Sequence, residues 1–210
     1  MRTQTKDTQA STTPEAALEA LMQGNERFRA RRMADRDLMQ QVSDTSTGQF
    51  PFAVVLTCID SRTPPELFFD QGLGDVFTIR LAGNIVNEDV LGSMEFACKV
   101  AGAKLVLVVG HSHCGAVKGA CDGVRLGNLT ATMEKLEPVV ERVRDGWTDG
   151  DATSGNVGFV SSVVERNVTS VLDEIRSRSE VLRELADAGD IALVGGIYDV
   201  ESGAFERSDG

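Results

Sequence analysis

The sequence predicts an α/β fold in which a mainly parallel β-sheet with a four-stranded core is flanked by helices. Four short apolar runs rich in β-branched residues are typical of buried parallel strands, and segments with helical spacing separate them. This alternation favours parallel pairing with helices on both faces of the sheet. The 210 residues suffice for one such domain, so we expect a single domain over 1–210. The predicted strands are 52–58, 75–83, 104–110 and 191–200.

The helices are predicted from apolar residues that recur every three or four positions. Pro14 follows two threonines, which is typical of a helix start, so we expect an N-terminal helical arm over 13–34. The polar residues 1–12 before it are expected to be loose, and loops are expected over 43–50 and 145–156. The remaining predicted helices are 64–70, 87–101, 115–122, 129–145, 160–175 and 178–189.

The net charge, the lengths of the apolar runs and the cysteine content indicate which partners and which cellular compartment to expect. The chain carries 21 Lys and Arg against 32 Asp and Glu, and this net charge of −11 disfavours nucleic acid and anionic membranes as partners. No apolar run approaches the roughly 18 residues of a membrane helix, and the polar N-terminus lacks the apolar core of a secretory signal. We therefore expect a cytoplasmic protein whose four cysteines are thiols or metal ligands rather than disulfides. Cys98 and Cys121 fall inside helical patterns and are expected to be core thiols.

Two of the predicted strands end in side chains that can bind a metal. The first runs into Cys58, Asp60 and Arg62, and the third runs into His111 and Cys114. Residues two apart on an extended chain face one side, and sites in parallel sheets collect at the carboxyl ends of strands. If the two strands are neighbours, two thiolates and one imidazole form a soft ligand set that favours zinc and leaves a fourth tetrahedral position. A buried thiol beside a hydrogen-bonded histidine is the structural alternative.

Asp60 and Arg62 are the residues that could govern such a site. Two thiolates cancel the charge of a zinc ion, so water bound to the ion is acidified less than at an all-histidine site. Asp60 can compensate by accepting a hydrogen bond from zinc-bound hydroxide, while Arg62 holds the carboxylate ionised and away from the metal through a bidentate pair. Released from Arg62, Asp60 could itself take the fourth position and close the site.

Five stretches of the chain together resemble the β-class carbonic anhydrases. They are LMQGNERF (21–28), CIDSR (58–62), RLAGNIV (80–86), HSHCG (111–115) and VGGIYDVESGA (194–204). The resemblance implies one Zn²⁺ per chain bound by Cys58, His111 and Cys114. It also implies that Asp60 and Arg62 are the catalytic pair.

The resemblance further implies an activity and an assembly. The activity is the reversible hydration of carbon dioxide to bicarbonate and a proton, in which zinc-bound hydroxide attacks the carbon with the help of the Asp–Arg pair. The family fold adds a C-terminal strand to the four-stranded parallel core. Its extended N-terminal helix packs on a second subunit, so a homodimer or homotetramer is expected.

A substrate pocket made of Gln49, Phe77 and Phe96 is also implied by the resemblance. Gln49 stands where plant-type members have a glutamine near the substrate, and Phe77 matches an aromatic residue that reaches in from the other subunit. Phe96 stands where those members have a tyrosine, so one hydroxyl group is missing. Members inhibited by bicarbonate have a tryptophan where this chain has Val55, although Arg80 of the same regulatory pocket is present. We therefore expect no inhibition by bicarbonate.

Other functions are compatible with the same residues. A carbon disulfide or carbonyl sulfide hydrolase would keep the fold and the metal and differ in access to the pocket. A zinc-stabilised module without turnover would have a closed fourth position and no need for the Asp60–Arg62 pair. A nucleotide-binding domain is suggested by GLGD (72–75) and GGIYD (195–199), but neither matches the Gly-x-Gly-x-x-Gly pattern, so turn glycines explain them better.

Overall fold

The computed structural model describes residues 3–208 and confirms the α/β fold, including the added C-terminal strand. The strands are β1 (Ala53–Thr57), β2 (Val76–Arg80), β3 (Leu105–His111), β4 (Ala192–Tyr198) and β5 (Phe205–Arg207). They form one sheet in the order β2-β1-β3-β4-β5. The first four strands are parallel and β5 is antiparallel to β4. Because β1 and β3 are adjacent and parallel, their carboxyl ends lie side by side.

The helices alternate with the strands and cover both faces of the sheet. The bounds of the long helix predicted over 129–145 agree with the structure. Among the described residues, no helix combines the length and the apolar character that a membrane span requires. The helices are α1 (Lys6–Ser11), α2 (Pro14–Arg29), α3 (Leu38–Thr45), α4 (Pro65–Phe68), α5 (Glu88–Glu95), α6 (Gly115–Cys121), α7 (Leu129–Asp145), α8 (Val157–Arg178) and α9 (Glu180–Asp187), with a 3₁₀ turn at Ala82–Asn84 and a π-helical turn at Phe96–Val100.

The two central strands are buried along their whole length. Every residue of β1 and β3 is buried, whereas every residue of the edge strand β2 is half-buried. Helices on both faces explain why β1 and β3 are continuous apolar runs rather than alternating ones. The core therefore lies on both sides of these strands, and polar groups collect only where the strands end.

The N-terminal segment differs from its prediction. Polar composition predicts that residues 1–12 are loose, whereas the described part of this segment contains α1 and is anchored to the domain. The side chains of Thr5 and Thr8 each bond to the other residue's backbone N–H, which closes a capping box at the start of the helix. Gln9 is buried, and its Nε2 donates to the Pro51 carbonyl at 2.7 Å. Side-chain to backbone hydrogen bonds thus order a segment that lacks an apolar pattern.

Helix α3 extends into the segment 43–50, which the sequence predicts as a loop. The Asp37 side chain caps it by accepting from the Gln40 N–H at 2.9 Å. Its apolar residues Leu38 and Met39 are 54% and 74% exposed. The helix therefore lacks the buried apolar face on which its prediction would depend.

Helix α2, the predicted arm, packs against the sheet of its own chain. Ala17 and Leu21 are fully buried in the cluster that includes residues of β1, β3 and β4. Asn25 is buried as well, and its Nδ2 donates to the carbonyls of Phe68 and Gly203 at 2.9 Å each. These contacts anchor α2 within one protomer, and its packing on a second subunit stays a prediction.

Helix α8 packs very closely on β3 and β4 because both strands have a glycine beneath it. A Cβ at Gly110 would lie 2.8 Å from a methyl group of Val168, and one at Gly195 would lie 2.5 Å from the other methyl group. Only glycine permits this approach. As a result α8 lies close to β3 next to His111, the last residue of that strand.

Candidate metal centre

Cys58, His111 and Cys114 converge at the carboxyl ends of β1 and β3. Cys58 directly follows β1, His111 is the last residue of β3, and Cys114 precedes α6. One ligand atom from each lies within 4.8 Å of the other two, and the three residues are 4%, 0% and 1% exposed. The convergence expected from neighbouring strands is therefore present in the structure.

The geometry of the three residues suits a tetrahedral zinc ion. The Sγ atoms of Cys58 and Cys114 lie 4.0 Å apart. Two Zn–S bonds of about 2.3 Å at the tetrahedral angle would separate the sulfurs by about 3.8 Å. A disulfide would need about 2.05 Å, and both residues are free thiols. Two soft sulfurs and one imidazole nitrogen at these positions match zinc better than magnesium or calcium.

The His111 ring is oriented so that one nitrogen is available to a metal. Its Nδ1 lies 2.9 Å from the Ser112 carbonyl, which fixes Nδ1 as the protonated nitrogen. Nε2 is buried and has no hydrogen-bond partner among the described residues. A buried nitrogen without a partner is costly, and a metal ion would satisfy it.

The electrostatics of the two thiols also favour a cation. A hydrogen bond from Cys114 lowers the pKa of Cys58, with smaller contributions from His111 and the Gly83 backbone. The same hydrogen bond raises the pKa of Cys114, and burial raises it further. One thiolate therefore forms easily and the second does not, because two negative sulfurs would face each other. A dication between them would remove this opposition.

Asp60 and Arg62 form the bidentate pair that the sequence predicts. Arg62 Nε and Nη2 donate to the two carboxylate oxygens of Asp60 at 2.9 and 2.7 Å. The Arg62 backbone N–H donates to the same carboxylate at 2.9 Å. These bonds hold the pKa of the Asp60 carboxyl well below its usual range, so it is ionised near neutral pH.

Arg80 braces the loop that carries this pair. Its Nε donates to the Cys58 carbonyl at 3.0 Å and its Nη2 to the Asp60 carbonyl at 2.6 Å. Thr63 adds a bond from its hydroxyl to the Asp60 carbonyl at 3.0 Å. The resemblance assigns Arg80 to a regulatory pocket and gives no sign of this bracing role, since bonds to backbone carbonyls leave no local pattern in a sequence.

A cavity of about 370 Å³ opens beside Cys58 and Asp60. Apart from these two residues its lining is apolar or glycine. An apolar cavity with one carboxylate suits a small uncharged substrate better than a large polar one. The lining residues are Cys58, Ile59, Asp60, Ala82, Gly115, Ala116, Gly119, Val124, Leu129 and Met133.

The three predicted pocket residues lie elsewhere within the single chain. Gln49 lines a hollow of about 480 Å³ together with Val42 and Leu73. Phe77 and Phe96 pack edge to face with ring centroids 6.2 Å apart and line a third groove. The described residues of one protomer thus do not bring them to the metal cluster, and their role in a substrate pocket stays a prediction.

The other two cysteines are core thiols, as predicted. Both are buried and neither belongs to the metal cluster. Burial raises the pKa of Cys98 to about 12 and that of Cys121 to about 11. Both thiols therefore stay protonated and unreactive at neutral pH.

Asp199 supports the turn that follows His111, a role that the residue patterns do not predict. Its Oδ1 accepts from the Ser112 hydroxyl at 2.8 Å, and the same hydroxyl accepts from the Val200 N–H at 2.9 Å. Asp199 thereby ties the loop after β4 to the residue whose carbonyl orients the His111 ring. The stretch VGGIYDVESGA contains Asp199, so the resemblance was the available signal.

The chain is similar to a known protein family and to individual members of it. Residues 53–205 match the family model described as Carbonic anhydrase. Carbonic anhydrase 2 of Mycobacterium tuberculosis is 36% identical over 196 residues, which cover 92% of each protein. The carbonic anhydrase of Mycolicibacterium smegmatis is 34% identical over 194 residues, again covering 92% of each. The matched region includes all three members of the metal cluster.

Solved structures show the same similarity in three dimensions. The β-carbonic anhydrase CcaA superposes with a TM-score of 0.74 at 28% identity, over 92% of this chain and 95% of that one. The β-carbonic anhydrase CafA of Aspergillus fumigatus gives a TM-score of 0.74 at 26% identity, over 91% and 90%. The similarity extends over the whole sheet and its helices rather than over the site alone.

Proposed function

This chain belongs to the β-class carbonic anhydrases, and we propose that it catalyses the zinc-dependent, reversible hydration of carbon dioxide to bicarbonate and a proton. The observation that carries the proposal is a buried cluster of two thiols and one imidazole, of which Cys58 lines a cavity together with the ionised carboxylate of Asp60. The family relationship supports the reaction, and the chemistry of the cluster supports the metal.

Cys58, His111 and Cys114 would hold the zinc ion. When bound, zinc acts as a Lewis acid that lowers the pKa of water and so provides a nucleophile near neutral pH. Three protein ligands leave one tetrahedral position for water or substrate, which distinguishes a catalytic site from a closed structural one. The carbonyl of Ser112 holds the His111 ring in the tautomer that such binding requires.

Asp60 is the residue that we propose orients the attacking water. Its carboxylate accepts a hydrogen bond from that water and so aims the oxygen at the carbon of carbon dioxide. Arg62 keeps the carboxylate ionised and prevents it from turning toward the metal. The proton released in the reaction passes to buffer. In this proposal Asp60 contacts the water, and Arg62 holds Asp60 in position.

We place the enzyme in the cytoplasm as a homodimer or homotetramer as part of the same proposal. Its described cysteines are free thiols, and a reducing compartment preserves such ligands. An exposed apolar surface supports self-association: Phe96 is 51% exposed and Val100 is 72% exposed, next to the half-buried edge strand β2. A second copy could also bring the residues that line separate grooves in one protomer to the site.

Substitution of Asp60 by asparagine tests the proposal. Asp60→Asn keeps the size of the side chain and removes the charge that orients the water. We expect kcat/KM for carbon dioxide hydration to fall by about 10² or more, while zinc content stays at the wild-type level. Stopped-flow hydration assays and metal analysis on the same preparations measure both quantities.

Asp187→Asn is the matched control. Asp187 pairs with Arg176 at an exposed site on α9, so its replacement should leave hydration unchanged. Full hydration activity in Asp60→Asn would contradict the proposed role of Asp60. Zinc-loaded wild-type protein without any hydration activity would contradict the proposed function itself.

A further inference from the structure

Asn167 is the one polar side chain among the residues of α8 that are buried. It is 2% exposed, and its neighbours Val163, Val164 and Val168 are also buried. A buried amide is unfavourable unless it is hydrogen-bonded. Asn167 Nδ2 donates to the Gly83 carbonyl at 3.0 Å, so the position supports the 3₁₀ turn that faces α8.

Gly83 connects this amide to a member of the metal cluster. Its N–H donates to Cys58 Sγ at 3.4 Å. The two hydrogen bonds of Gly83 therefore run from α8 through one residue to a sulfur. Asn167 itself touches none of the three cluster residues by a hydrogen bond in the described structure.

The backbone of Gly83 needs an external anchor to keep this N–H aimed at the sulfur. Its φ is +75°, a left-handed conformation that favours glycine, and a Cβ there would lie 2.9 Å from a methyl group of Leu136. Glycine has the widest range of backbone conformations. The bond from Asn167 fixes the peptide plane after Gly83, and thereby limits how far the plane before it can turn.

We propose that Asn167 is a positioning residue for the zinc ligand Cys58. By holding the Gly83 carbonyl, it keeps the Gly83 N–H on Cys58 Sγ, where the hydrogen bond stabilises negative charge on the sulfur. Groups that act on a metal through a ligand in this way typically change metal affinity 10- to 100-fold. The proposal rests on the zinc binding included in the proposed function, and does not depend on the reaction.

The test measures zinc affinity rather than turnover. Asn167→Leu removes the amide and keeps a similar volume, and Asn167→Ala removes the amide without adding bulk or a buried charge. We expect the zinc dissociation constant of each, measured by competition with a chelator, to rise by about tenfold. In cobalt-substituted protein, the sulfur-to-cobalt charge-transfer band should shift as well, which a purely structural role would not cause.

Asn25→Leu is the matched control. Asn25 is also a buried asparagine whose Nδ2 donates to backbone carbonyls, but it lies on α2 and bonds to Phe68 and Gly203. Its replacement should lower stability and leave zinc affinity within about twofold of wild type. The same loss of affinity in Asn25→Leu would show that general destabilisation is the cause and overturn the proposal.

The remaining outcomes are also decisive. If Asn167→Leu fails to fold, Asn167→Ala carries the measurement, and wild-type affinity in either folded variant overturns the proposal. Wild-type protein that binds no zinc overturns both this proposal and the proposed function. Wild-type protein that binds zinc but does not hydrate carbon dioxide overturns only the proposed function.

Discussion

The residues of the metal cluster can be predicted from the sequence because each lies at the end of a strand or shortly after it. Cys58 and His111 stand at the ends of apolar runs, and neighbouring parallel strands bring such ends together. The supporting residues were not accessible in this way. Asn167 lies 84 positions from Gly83, and Asp199 lies 87 positions from Ser112, so no local pattern connects either pair. Only the fold creates these contacts.

The carboxylate of Asp199 should make the stability of the protein depend on pH. Hydrogen bonds from the Ser202 side chain, the Glu201 N–H and the Ser112 hydroxyl lower its pKa from 3.8 to about 2. A carboxylate with a depressed pKa in the folded state stabilises the protein above its unfolded pKa, and this contribution is lost as the pH falls through the folded pKa. The contribution is therefore complete above about pH 4 and absent below about pH 2.

Asp199→Asn should accordingly be less stable than wild type at pH 6, and the difference should shrink as the pH approaches 2. Urea unfolding of both proteins across this range measures it. Asp151→Asn, at an exposed position in the loop before α8, serves as the control. A stability difference that stays constant down to pH 2 would show that Asp199 acts through shape rather than charge.

At the scale of elements, apolar patterning determined which segments could be predicted. The buried strands and α7 follow it closely, while α1 and α3 do not, because caps and polar contacts hold them. The strand β5 has only three residues and two of them are exposed, so it carries no periodic signal of its own. Its prediction depended on the family resemblance.

The junction of α2, α3 and α4 depends on a buried charge cluster. Asp70 is fully buried with φ at +48°, and it pairs with Arg27 of α2 and with Arg36, whose side chain is 7% exposed. Removing one partner of a buried ion pair typically costs about 3–5 kcal/mol, because the remaining charge stays buried. Asp70, which follows α4, therefore adds ion pairs to α2 and to the segment that precedes α3.

Asp70→Asn should lower the free energy of unfolding by about 3–5 kcal/mol. Asparagine tolerates the left-handed backbone, so the variant isolates the charge. The exposed pair of Asp187 and Arg176 is again the control, since Asp187→Asn should cost at most about 1 kcal/mol. Equal losses in the two variants, measured by chemical denaturation, would contradict the account of this junction.

At the scale of the whole molecule, one protomer brings the metal cluster together with Asp60 and Arg62, but not with the three predicted pocket residues. The metal cluster, Asp60 and Arg62 are all in place within the chain. Gln49, Phe77 and Phe96 line other grooves. Sequence patterns describe one chain, so residues supplied across a subunit boundary cannot be located from one chain's fold alone. The proposed self-association is the simplest way for them to reach the site.

The pairing of Asp60 with Arg62 determines whether the fourth zinc position is open or closed. A carboxylate held by Arg62 leaves the fourth zinc position to water, whereas a carboxylate bound to the metal would close it. Both carboxylate oxygens of Asp60 are bonded to Arg62 in the structure, which is the open arrangement. We therefore expect a zinc site that is open and active already at neutral pH.

The most direct test is the rate of carbon dioxide hydration by the purified protein at pH 7 and pH 9, measured together with its zinc content. The account predicts about one zinc ion per chain and substantial hydration already at pH 7. Protein that carries zinc yet hydrates carbon dioxide only at the higher pH would contradict the open state. Protein that binds no zinc would contradict the site itself.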